Sequence, residues 1–92
     1  MAQFTIRVEL HEASREDYST LATNLARLGI TDIITCDDGV QYHMPPAEYT
    51  YTGYATRADV LKAVKEVAAG LVRNYGVLVT ESAGRTWILT RA

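Results

Sequence analysis

The sequence predicts an α+β domain: an antiparallel sheet with two helices on one face and an extra strand at the C-terminal end. Three observations predict it. Residues 3–10 alternate strictly between apolar and polar side chains. Two stretches of helical period each open on a capping signal, Ser14 with Asp17 and Thr56 with Asp59. Asp37-Asp38-Gly39 separates two short apolar runs as a hairpin turn would.

The first strand places Phe4, Ile6, Val8 and Leu10 on one face and Thr5, Arg7, Glu9 and His11 on the other. After the Ser14 cap, Tyr18, Leu21, Leu25 and Leu28 recur at helical spacing, and Gly29 is a natural residue to follow the helix. Ile30 to Cys36 is the second strand. Two turns satisfy the next segment. A two-residue loop at Asp38-Gly39 pairs Asp37 with Val40, whereas a three-residue loop with Gly39 in the left-handed region pairs Cys36 with Val40. A slip of one residue exchanges the two faces of a strand. The longer loop gathers Ile34, Cys36, Val40, Tyr42 and Met44 on one face and leaves Ile33, Thr35, Gln41 and His43 on the other. That cleaner apolar set selects it, with His43 directed away from the helices.

Pro45-Pro46 interrupts ladder pairing, and Ala47 to Thr52 resumes a strand with Tyr49 and Tyr51 on one side. Gly53-Tyr54-Ala55 is a loop. The second helix buries Val60, Leu61, Val64, Val67, Ala68 and Leu71. Tyr75 to Ser82 and Arg85 to Arg91 read as a terminal hairpin around Ala83-Gly84. Both of its strands, Val77-Leu78-Val79 and Trp87-Ile88-Leu89, are apolar on both faces. A sheet covered on one side alternates, so a second subunit is the expected cover, giving a homodimer through Val77–Val79 and Trp87–Leu89. Strand–helix–strand–strand–helix–strand is the ferredoxin-like order. One domain spans residues 1–92.

Composition narrows the function classes. The 92 residues are 48% apolar, which supports one modest core. No apolar run approaches the roughly 20 residues of a membrane span. The N-terminus alternates like a strand and lacks the apolar block of a signal peptide. Cys36 is the only cysteine, which fits a reducing cytoplasm, and it reads as a small buried hydrophobe rather than a metal ligand. The formal net charge of −2 gives no bulk attraction to nucleic acid. Arg7, Arg15, Arg27, Arg57, Arg73, Arg85 and Arg91 outnumber the two lysines, and arginine suits planar phosphate pairing.

No phosphate loop, zinc spacing, nucleophile elbow or dinucleotide fingerprint is present, and no metal or cofactor is expected. In the ferredoxin-like order the first and third strands are neighbours, so Arg7, Glu9, His11, Gln41 and His43 would share the open sheet face. One neutral imidazole can take a ribose hydroxyl proton, a second can protonate the leaving oxygen, and an arginine can hold the phosphate. Tyr49, Tyr51 and Tyr54 offer surfaces for unpaired bases. The competing reading is an ordinary solvated face of mixed charge.

Three segments carry a resemblance: Phe4 to His11, Thr35 to Tyr49 (with Asp37-Asp38-Gly39-Val40-Gln41-Tyr42-His43-Met44-Pro45-Pro46 at its centre) and Leu78 to Trp87. Together they resemble small bacterial proteins of the GhoS-type endoribonuclease antitoxin family. The resemblance implies a ferredoxin-like domain related in fold to a group of CRISPR-associated nucleases, and an activity that cleaves the messenger RNA of a membrane toxin. Those nucleases carry a metal-binding aspartate at the end of the first strand. Here that place reads Glu9-Leu10-His11-Glu12.

The expectation is therefore an RNA-binding, antitoxin-like homodimer with endoribonuclease activity. Arg7, His11 and His43 are its candidate catalytic residues, and Arg85, Tyr49, Tyr51 and Gln41 its candidate RNA contacts. The alternative is a non-catalytic dimer that binds a protein partner. Arginines clustered on the open face favour RNA; a face balanced by Glu9, Glu48 and Glu81 favours protein.

Overall fold

The computed structural model describes residues 1–92. Its elements are β1 (Ala2–Leu10), α1 (Arg15–Ala26), β2 (Ile33–Thr35), β3 (Gln41–His43), β4 (Glu48–Gly53), α2 (Arg57–Ala69) and β5 (Tyr75–Ser82). The main sheet is antiparallel, in the order β4-β1-β5. An isolated bridge from Thr31 to Thr50 brings the chain just before β2 alongside β4, which completes the ferredoxin-like order. The fold is thus α+β, as the periodicity predicts.

Alternation along β1 translates directly into burial. Phe4, Ile6, Val8 and Leu10 are buried beneath the helices with Leu21 and Leu25 of α1 and Val60, Val64 and Ala68 of α2. Both capping boxes form, with the Ser14 and Thr56 hydroxyls accepting from the amides of Asp17 and Asp59 and both carboxylates accepting in return. Bonding to Thr56 holds the Asp59 carboxyl below its ordinary pKa. The first helix ends as Gly29 predicts. Gly29 has φ +79, its amide donates to Ala26, and the next amide, of Ile30, reaches back to Leu25. At the far end of β1 the Leu10 amide and carbonyl lie beyond β4, and the Tyr18 hydroxyl bonds to both.

The hairpin adopts the three-residue loop. Gly39 has φ +87, Ile34 faces Tyr42, and the Cys36 amide donates to Val40 at 2.8 Å. The Asp38 side chain accepts from the Val40 amide and closes the turn.

Three expectations need correction. First, β3 is not a neighbour of β1. The Pro45-Pro46 bend, with Ala47 at φ 64, separates β3 from β4, and it is β4, not β3, that pairs with β1. Second, Arg85 to Arg91 does not return beside β5. It leaves the sheet after Ser82 and ends against β3, where the Thr90 carbonyl accepts from His43 and the Ala92 amide donates to Gln41. The apolar face of the hairpin supplies the reason, because Trp87 packs edge-on to Tyr42 with centroids 6.0 Å apart. Third, Val77 and Val79 are not surplus. They pack against the core, which leaves Leu78 on the open face at 64% exposure.

Candidate nucleic-acid interface

Strand pairing lays out the open face in rows. Opposite residues share a face, so Glu48, Arg7 and Leu78 form one row, Thr50, Thr5 and Thr80 the next, and Thr52, Gln3 and Ser82 the third. The middle row is a shelf of hydroxyls, and Arg85 lies on it. The Arg85 Nη1 donates to Thr50 Oγ1 at 2.9 Å and to Thr5 Oγ1 at 3.3 Å, and Thr5 Oγ1 lies 3.1 Å from Ser82 Oγ. Arg85 Nε is out of contact with solvent and has no acceptor. No carboxylate lies within ion-pair distance of this guanidinium, and its desolvation holds the pKa below the usual arginine value. Beside it opens a polar cleft of about 280 Å³, lined by Gln3, Thr31, Thr35, Thr50, Thr52 and Arg85 among others.

The other candidates are dispersed. Arg7 is exposed on the open face, between Glu48 across the strand pair and Glu9 two positions along β1. His11 stands just past β1, its Nε2 3.0 Å from Glu9 Oε1. It borders a separate polar cleft of about 410 Å³ with Glu12, Asp17, Arg73 and Asn74. His43 belongs to the small β2-β3 sheet, opposite Ile33, with its amide committed to Thr90. Gln41 is exposed on the same face of that hairpin. His11 borders the cleft at the end of β1, whereas His43 lies on the separate β2-β3 sheet, so the two histidines stand on different parts of the fold.

The tyrosines are a clear reversal. Tyr49 pairs with Ile6 and Tyr51 with Phe4, so both point under the helices rather than to the open face. Tyr49 is 4% exposed, and Tyr51 packs on Phe4 with centroids 6.1 Å apart. Neither presents a ring on the open face. Burial, followed by the charge of Asp32, pushes the Tyr49 phenol above its ordinary pKa. Tyr54, in the loop after β4, is the tyrosine that remains accessible, at 91% exposure.

The threonine shelf escaped the sequence reading. Thr5 and Thr50 are 45 positions apart, and nothing local marks them as partners. The only legible signal was their placement on polar positions of strands that later prove adjacent. No protein-family model and no curated protein matches the chain.

Proposed function

We propose that this chain is a small RNA-binding protein of the antitoxin type, holding a phosphodiester on the open face of its sheet at Arg85. The observation that carries this reading is a partly desolvated guanidinium, held on two threonine hydroxyls, that lacks any anionic partner. A phosphate oxygen at the accessible part of the guanidinium supplies the missing charge. Binding of this kind contacts backbone rather than base edges, so it tolerates sequence and weakens with salt. The inward turn of Tyr49 and Tyr51 agrees with that mode, because it removes two stacking platforms. RNA cleavage, which the family resemblance implies, falls on this reading to His11 oriented by Glu9, with Arg73 bordering the adjacent cleft. The half-buried, unpaired Cys36 fits a reducing compartment, and the reading places the protein in the cytoplasm. No helix is long and apolar enough to cross a membrane.

Fluorescence anisotropy with labelled single-stranded RNA tests the proposal. The unaltered chain should bind at low salt and lose affinity as salt rises, and Arg85→Met should abolish binding while the fold persists. Absence of binding by the unaltered chain at high micromolar concentration overturns it.

A second reading has its own observation. Arg7 stands between Glu48 and Glu9, so that end of the open face is charge-balanced and suits a protein partner better than a polyanion. Arg7→Ala shows whether that charged end of the face takes part in RNA binding. It lowers RNA affinity if RNA spans the whole face, and leaves it unchanged if RNA is confined to the Arg85 cleft.

A further inference from the structure

The outer edge of β5 is the longest unpaired edge of the main sheet. The bond from the His11 amide to the Asn74 carbonyl fixes which groups face it. In this register Glu9, Arg7, Thr5 and Gln3 exchange hydrogen bonds with Gly76, Leu78, Thr80 and Ser82. The alternate residues Tyr75, Val77, Val79 and Glu81 therefore direct their amides and carbonyls outward, where none has a backbone partner.

Natural edges are protected by lysine, proline, bulges or short length. This one runs eight residues, Tyr75–Ser82, with Glu81 as its only charge and no proline. Apolar surface flanks it on both sides. Leu78 is 64% exposed on the open face. On the helix side an apolar groove of about 540 Å³ runs between β5 and α2, lined by Ala58, Leu61, Val77 and Val79 among others.

We infer that a second copy of this chain covers the edge, with the two β5 strands pairing antiparallel about a two-fold axis at Leu78. The strand is complementary to itself in that register. Val77 faces Val79 of the second copy, two β-branched side chains whose outward amides and carbonyls bond each other. Tyr75 faces Glu81 in the same way. Leu78 meets its own equivalent at a non-hydrogen-bonded position, where side chains approach most closely. A register centred on Glu81 sets two carboxylates opposite each other, and one centred on Val79 sets Val77 against Glu81. The Leu78-centred register avoids both. The contact is isologous and closes on itself, joining two three-stranded sheets into one and leaving no free β5 edge. It differs from the sequence-based expectation, because Trp87 is committed to Tyr42 and takes no part.

The inference is independent of the RNA reading, and its test uses no RNA. Sedimentation equilibrium of the unaltered chain should give twice the 10.2 kDa of one chain. In a Cys36→Ser background, Leu78→Cys should cross-link to near completion under mild diamide oxidation, because the pair geometry matches a disulfide. Thr80→Cys in the same background should not. Circular dichroism confirms that each variant is folded, and both substituted positions are exposed. A monomeric mass up to high micromolar concentration overturns the inference. So does a dimer in which Thr80→Cys cross-links and Leu78→Cys does not.

Discussion

Arg85 reaches Thr50, 35 residues earlier in the chain, through a 2.9 Å hydrogen bond from Nη1 to Oγ1. That bond pins the C-terminal segment onto the open face and holds a guanidinium whose Nε is shielded from water. A partly desolvated charge without a counter-ion contributes little to stability. Arg85→Met should therefore leave unfolding stability within about 1 kcal/mol of the unaltered chain. Urea denaturation measures this. A loss several times larger would identify Arg85 as a structural strut.

At the hairpin, Gly39→Ala isolates a backbone effect. Gly39 has φ +87, and a Cβ there would meet nothing within 4 Å. Any cost comes from the left-handed conformation alone and should be roughly 1 kcal/mol or slightly more. A shift in the urea midpoint without a change in slope is the expected signature.

Gly53 makes the contrasting case. Its φ is not in the left-handed region, but a Cβ there would lie 2.5 Å from the Tyr51 hydroxyl. Gly53→Ala should cost about 1–3 kcal/mol through overpacking. In the Tyr51→Phe background the penalty should shrink only in part, since the oxygen is gone but the ring carbon Cζ would still lie 2.8 Å away. A double-mutant cycle measures that coupling.

The Tyr49 phenol is pushed above its ordinary value by burial. Its folded pKa is raised, so its contribution to stability is complete below the unfolded value and is lost as pH rises through the folded one. Alkaline destabilisation should begin above about pH 10. Tyr49→Phe keeps the ring against Ile6 and should remove that component. Thermal midpoints across an alkaline series, with and without the substitution, check the sign.

His11 and His43 now predict different outcomes. His11 carries Glu9 at 3.0 Å and borders a polar cleft, whereas His43 lies on the separate hairpin sheet. Where the chain cleaves RNA, His11→Ala should lower the rate by roughly 10²–10⁴ and His43→Ala should leave it unchanged. Gel assays with and without a chelator measure both effects. Equal losses in the two variants would restore the two-histidine arrangement.

The sequence by itself determined whatever depends on near neighbours. Alternation set the buried face of β1, the Ser14 and Thr56 caps set both helix starts, and the apolar set of Ile34, Cys36, Val40, Tyr42 and Met44 chose between the two registers open to Asp37-Asp38-Gly39. Each of these is decided within a few residues by side-chain direction, capping geometry or the left-handed freedom of glycine. Tertiary structure decided the site. The Pro45-Pro46 bend detaches β3 from β4, and with it His43 from the strands that pair with β1. Pairing with β1 turns Tyr49 and Tyr51 inward. The C-terminal segment crosses to β3 because Tyr42 offers Trp87 an apolar surface that a return beside β5 would not. Arg85 meets Thr5 and Thr50 only after those choices are made. Strand adjacency joins residues far apart in the chain, and the pattern along any one strand carries no information about which strand lies next to it.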